Sequence, residues 1–128
     1  MGYVRALEHP QNANVVRFAS SDRFDPVAQV VDPVVAAVFD VPLCDLRATT
    51  RGSQRTAFAR QVAMYLTHVV LGLSLTQVGS SFARDRTTVA HACAMIEEMR
   101  DDPVLDARLD HLERAICSLV DALFARRG

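Results

Sequence analysis

The sequence predicts an all-α fold: a compact helical domain with a helix-turn-helix and an added C-terminal helix. Three observations predict it. Apolar residues recur at steps of three and four in several separate stretches. Asp-Pro pairs, serines and glycines stand where helices start or stop. Two of the helical stretches are short and separated by only a tight turn.

The elements follow in chain order. Residues 1–25 mix Gly, Pro, Asn, Gln and Ser with little periodicity and read as a loose arm. Asp25-Pro26 and Asp32-Pro33 each look like an N-cap followed by proline at the first helical position. They predict a short helix over 26–31 and a firmer one over 33–40, whose apolar face is Val34, Val35, Val38 and Phe39. Val41-Pro42 ends that helix, and a single turn follows at 43–46. Residues 47–56 read as a polar basic loop. A long helix fits 57–72, with Phe58, Val62, Leu66, Val69 and Val70 buried and Gly72 at its end.

Ser74 caps a short helix over 75–82, with Leu75, Val78 and Phe82 facing inward. Residues 83–85 turn. A second helix runs from Arg86 to about Met99 and buries Val89, Ala92, Cys93 and Ile96. Its first turn presents Arg86, Thr87 and Thr88, residue types that reach base edges and phosphates. Asp101-Asp102-Pro103 restarts the chain into a last helix over 103–125. Leu105, Leu109, Leu112, Ile116, Leu119 and Leu123 form its stripe, widened by Val120 and Phe124.

Composition narrows the function. The 128 residues are enough for one domain, and 50% hydrophobic with 23% charged residues argues for a packed core. The longest apolar runs, 34–39 and 69–71, fall far short of the roughly 20 residues that span a bilayer. The N-terminus lacks the basic-then-apolar order of a signal peptide, so a cytoplasmic protein is expected. Cys44, Cys93 and Cys117 are widely spaced without a CxxC, which supports neither a disulfide framework nor a zinc finger. The four histidines show no metal-ligand spacing, and no nucleophile–base pair stands out, so neither a metal nor an enzyme is expected. All 14 basic residues are arginine, which excludes a Walker-type phosphate loop, a Schiff-base lysine and a kinase-type lysine. No cofactor or nucleotide is expected.

The net charge of −1 conceals blocks of opposite sign. Residues 1–46 carry −3, residues 47–91 carry +5, residues 92–125 carry −5, and Arg126-Arg127 add +2. A basic middle in a nearly neutral chain suggests a local patch for a polyanion. The bland alternative is a chance cluster of solvated arginines.

Three blocks carry a resemblance. Ala59-Arg60-Gln61-Val62-Ala63-Met64-Tyr65-Leu66, then Leu73-Ser74-Leu75-Thr76-Gln77-Val78-Gly79, then Phe82 through Cys93 with Arg84-Asp85-Arg86-Thr87-Thr88-Val89-Ala90-His91-Ala92, resemble the C-terminal DNA-binding domain of the bacterial replication initiator DnaA. The resemblance covers roughly residues 32–100. It implies a domain over 26–100 in which an arginine of the basic loop enters the minor groove and the second helix of the motif enters the major groove. By position, Arg60 and Gln61 match a pair that touches backbone and bases. Arg84, Asp85, Thr87, Thr88 and His91 match the signature of the recognition helix. The loop arginine is Arg51 or, failing that, Arg55. A lysine is frequent in the family where His68 stands, and a neutral histidine contributes less to a phosphate contact.

The departures are informative. Arg86 replaces the signature's usual histidine, and arginine prefers guanine O6 and N7, so the preferred site should differ from the initiator's own. Ala83 stands where the family has two glycines, so the turn is one residue shorter. With no nucleotide-binding module in this sequence, the chain reads as a standalone DNA-binding domain with added ends.

The expected function is therefore sequence-specific binding of double-stranded DNA, as a nucleoid-associated transcriptional regulator. A replication-control factor occupying initiator-like sites is the alternative within that class. The rival class is a protein-binding adaptor that uses an acidic outer face of the last helix, formed by Asp106, Asp110, Glu113 and Asp121. Residues 101–128 are assigned to closing the core and, because their stripe spans about six turns, to a homodimer.

Overall fold

The structure, a computed structural model, describes residues 25–48 and 52–127. The arm expected over 1–25, apart from Asp25, and Arg51 lie outside them. Every regular element among the described residues is helical. A π turn (Val27–Val31) runs into α1 (Asp32–Phe39); α2 (Leu43–Leu46), α3 (Gln54–Val69), α4 (Leu75–Phe82), α5 (Arg86–Met99) and α6 (Pro103–Arg127) follow. No helix among the described residues is long and apolar enough to cross a membrane.

The first two predicted helices are one. Asp25 caps the start as expected, its Oδ1 accepting from Val27 N–H at 3.0 Å. Asp32 does not cap: it is helical, with φ −62° and ψ −48°. In a regular α-helix the ring of Pro33 would press on the carbonyl four residues back and leave it without a donor. The chain widens instead, and Asp32 N–H bonds Val27 O across a π spacing just ahead of the proline. Asp32 is thereby carried to a buried position.

Helix α3 is the centre of the domain. It starts at Gln54, three residues before the expected boundary, because the Ser53 hydroxyl accepts from Thr56 N–H at 3.1 Å. Ala59, Val62, Ala63, Met64, Tyr65, Leu66 and Val69 are all buried, so the helix is covered on nearly every side. It packs against α1, where Phe39 and Phe58 meet edge to face at 5.6 Å. It packs also against α5, whose predicted stripe of Val89, Ala92 and Ile96 is buried. Gly72 takes φ +76° and turns the chain toward α4.

The stripe of α6 is covered by this same chain. Leu109, Leu112, Ile116 and Val120 are buried, and Leu105 and Leu123 pack against the core from its edge. Leu119, at 45% exposure, is the only stripe residue left largely in solvent. The surplus apolar surface behind the homodimer expectation is thus already used within one chain. We expect a monomer in sedimentation velocity at tens of micromolar; a species of twice the mass would show that α6 also joins two copies.

The acidic residues of α6 do not form the expected outer face. Asp106, Asp110 and Glu113 all turn toward Arg100, the residue just after α5, and Asp121 alone stays exposed. Arg100 Nε pairs with Asp106 at 2.6 Å, Nη2 with Asp110, and Nη1 with Glu113 at 2.6 Å. Nη1 also donates to the Tyr65 hydroxyl at 2.9 Å, and that hydroxyl donates to Glu97 at 3.1 Å. The hub joins α3, α5 and α6.

Candidate nucleic-acid interface

Helices α4 and α5, with the turn 83–85, make the helix-turn-helix at the boundaries expected. Each junction has a local cause. Ser74 and Gln77 form a capping box at the start of α4: Gln77 N–H donates to Ser74 Oγ at 3.1 Å, and Ser74 N–H to Gln77 Oε1 at 2.8 Å. At its end Ala83 adopts a left-handed conformation, φ 56° and ψ 48°, normally left to glycine. The shortened turn therefore carries strain. Ala83→Gly should raise stability by about 1 kcal/mol, read as a higher urea midpoint at unchanged slope. A lower midpoint would mean that the alanine methyl packs usefully.

Gly79 lets the turn lie on α4. Its Cα side faces the carbonyl of Arg84, which a Cβ there would meet at 2.5 Å. The turn is also held by Arg84 N–H donating to Gly79 O at 2.9 Å.

Asp85 is the N-cap of α5, yet its carboxylate makes no capping hydrogen bond to the helix. Asp85, Arg86, Thr87 and Thr88 are exposed, and so is His91 one turn later. Behind them Val89, Ala92 and Ile96 fix the helix to the core, with Cys93 half-buried. Burial, then the charge of Glu97, pushes the Cys93 thiol up to about 11, so it stays protonated at neutral pH.

The remaining candidates lie on α3 and its approach. Arg55 is exposed in the first turn of α3, 3.9 Å from a still more exposed Asp40 carboxylate, a pairing too solvated to hold it. Gln61 is half-buried. Arg60 is only 5% exposed, and its guanidinium faces backbone: Nε donates to Leu46 O at 3.0 Å and Nη2 to Asp45 O at 2.7 Å. Arg84 reaches across the same gap, with Nη2 donating to Ala48 O at 3.0 Å and Nη1 to Phe82 O at 3.0 Å. Burial, followed by the nearby charge of Arg84, lowers the pKa of Arg60. His68, half-buried near the end of α3, spends its Nδ1 on Leu73 O at 2.8 Å.

Arg47, which the sequence shows only as part of a basic loop, is tied to two other elements of the fold, α1 and α4. Its Nε pairs with the buried carboxylate of Asp32 at 2.7 Å, its Nη1 donates to Ser81 O, and its guanidinium lies 4.4 Å from the centre of the Phe82 ring. Among the described residues no group of three His, Cys, Asp or Glu side chains is placed to hold a metal ion.

Residues 28–96 match the family described as the bacterial dnaA protein helix-turn-helix. The chain belongs to that family. The match runs from the π turn to the last buried residue of α5, so Arg100 and α6 lie beyond it. DnaA proteins are also what the chain resembles one by one. It is 41% identical over 83 residues to chromosomal replication initiator protein DnaA 1 of Protochlamydia amoebophila, covering 64% of this chain and 18% of that protein. It is 33% identical over 89 residues to the chromosomal replication initiator proteins DnaA of Thermoanaerobacter sp. strain X514 and of Caldanaerobacter subterraneus, covering 69% of this chain and 20% of each. The chain thus spans about a fifth of the length of these DnaA relatives.

As a member of this family, the chain carries its helix-turn-helix. Its signature residues separate into two groups. Asp85, Arg86, Thr87, Thr88 and His91 are exposed on one end of α5, whereas Arg60 and Arg84 are drawn into hydrogen bonds with the approach to the basic loop.

Proposed function

We infer that the protein is a sequence-specific double-stranded DNA-binding regulator, acting on the nucleoid as a transcriptional regulator. One observation carries this reading. The first turn of α5 exposes Arg86, Thr87 and Thr88 while the opposite stripe of the same helix is buried. A helix so mounted can enter a major groove without disturbing its own core. Arg86 reads a guanine, Asp85 keeps its carboxylate for a base amine or a neighbouring arginine, and Thr87, Thr88 and His91 reach base edges or phosphates. Arg55, Gln61 and Arg51 supply contacts to backbone or minor groove. The unit is a helical domain over 26–100 with α6 as its covering helix.

The test is equilibrium binding to a random-sequence duplex across salt, followed by selection of preferred sites. Affinity should fall steeply with salt, and one short motif should be enriched. Absence of salt-sensitive binding to any duplex would overturn the reading and favour a protein adaptor. The DnaA relatives, named as replication initiators, support a second reading in which the chain controls replication at initiator-like sites. Mapping bound sites across a genome separates the two: sites spread over promoters support regulation, and sites clustered at an origin support replication control.

Arg86 decides the motif. Arg86→Ala should cost about 1–3 kcal/mol on the selected site and relax preference at one position, with a smaller loss on random duplex. Arg86→His should move the preference toward the initiator's site. An unchanged preference profile for both variants would make Arg86 a phosphate contact.

A further inference from the structure

Three arginines converge on residues 45–48, the stretch that leads into the basic loop. Arg60, from the second turn of α3, holds the carbonyls of Asp45 and Leu46. Arg84, from the turn of the helix-turn-helix, holds the carbonyl of Ala48 with one nitrogen and that of Phe82 with the other. Arg47, within the stretch, reaches the opposite way, to Ser81 O and the Phe82 ring at the end of α4. Its Nε is fixed by Asp32 of α1 at 2.7 Å.

The pattern is reciprocal. One arginine runs from the stretch to the end of α4, and one runs back from the turn beyond α4 to the stretch. Both linkages cross a long interval of sequence, 34 residues for Arg47 to Ser81 and 36 for Arg84 to Ala48. The carbonyls they take are those that a helix end or an open turn leaves without donors. The guanidinium fork suits this task, because it presents several N–H groups in fixed directions and can serve two acceptors on different elements.

We propose that Arg84 and Arg47 are positioning residues for DNA recognition: by clamping the helix-turn-helix turn and the end of α4 to residues 45–48, they set the angle at which α5 meets the groove. Arg84 then acts through backbone carbonyls of its own chain and not through a phosphate. The inference rests on the DNA-binding function proposed above and assigns a mechanism to two of its arginines. A displaced recognition helix loses base contacts along its whole length, whereas phosphate attraction depends on charge and tolerates small displacements.

Arg84→Lys tests it directly. The substitution keeps the charge but offers one nitrogen where Arg84 uses two, so it cannot bridge Ala48 and Phe82 in the same way. Binding to the selected duplex and to random duplex is measured beside the unmodified protein, with circular dichroism confirming the fold. The expected result is about a tenfold loss on the selected site, random-duplex affinity within about twofold, and preference weakened at every position of the motif. Arg47→Lys, which gives up either Asp32 or Ser81, should show the same signature. Affinity for the selected site within about twofold of the parent in both variants overturns the proposal, and so does weakening at a single base position. Loss on selected and random duplex alike would make these arginines phosphate contacts. Failure of the unmodified protein to bind any duplex would instead sink the DNA-binding function itself.

Discussion

Arg100→Met should remove about 3–5 kcal/mol of folding stability, the largest effect expected of any single side chain here. The side chain of Arg100 is 8% exposed and faces three carboxylates. Asp106 and Asp110 can turn to water, since about a third of each side chain is open to it. Glu113 cannot: it is 3% exposed, and without Arg100 its charge would be buried with no opposite charge to offset it. Burial already raises the Glu113 carboxyl above its ordinary range even against the pull of Arg100. The same arginine is held charged, because hydrogen bonds to Asp106, Tyr65 and Glu113 outweigh the burial that opposes it.

The pH dependence follows from that direction. A carboxyl whose folded pKa is raised stabilises the fold below that pKa and ceases to do so as pH rises through it. With Arg100 gone the rise is larger, so the deficit of Arg100→Met should be full at pH 7 and shrink toward pH 5. Adding Glu113→Leu should recover much of the loss at pH 7 by removing the stranded charge. Urea midpoints of the single and double variants at the two pH values decide the matter. A single variant within about 1 kcal/mol of the parent would mean that the hub is solvated and that α6 is held by its apolar stripe alone.

The hub also shows what could be read from the sequence and what could not. The boundaries of α4 and α5 were legible because every signal for them is local: a capping serine with its glutamine three residues on, apolar steps of three and four, and a turn of three residues. Asp32 misled for the same reason. Asp-Pro is a local sign of a helix start, but at Asp32 the chain stays helical through a π spacing ahead of Pro33, and the carboxylate goes to Arg47, 15 residues away. The basic middle was legible as a block but not residue by residue. Of its five described arginines, Arg47, Arg60 and Arg84 are tied to backbone carbonyls or to Asp32, and only Arg55 and Arg86 are exposed. Nothing in the sequence distinguishes an arginine that faces a carbonyl 36 residues away from one that faces solvent. The acids of α6 did carry a usable signal. Asp106, Asp110 and Glu113 recur at steps of four and three, one helical face, with Arg100 just ahead of the helix. A face of acids turned onto the core at Glu113 needs a cation beside it, and Arg100 lies nearest in sequence on the N-terminal side.

Gly79→Ala should both unfold and disarm the domain. Its added methyl would stand 2.5 Å from the Arg84 carbonyl oxygen and 3.5 Å from the Arg86 nitrogen. The first distance is far inside contact, and the obstacle is backbone, which cannot swing aside as the end of a long side chain can. Two relaxations are open. Helix α4 can move away from the turn, which uncovers Val78 and Phe82, both buried in the core. Alternatively the turn can lift, breaking the bond from Arg84 N–H to Gly79 O and carrying the first turn of α5 with it. The first relaxation lowers stability; the second moves Arg86, Thr87 and Thr88 off their mounting. We expect a loss of about 3 kcal/mol or slightly more, the upper end for an overpacked site, together with loss of preference for the selected duplex in whatever fraction remains folded. Ser80→Ala, one residue on and exposed, should change neither quantity. Urea midpoints and binding to selected and random duplex give the answer for both variants. If Gly79→Ala matched Ser80→Ala on stability and on specific binding, the turn could not lie against α4 at the distance that the glycine permits, and the mounting of the recognition helix would have to be assigned to the arginine clamps alone.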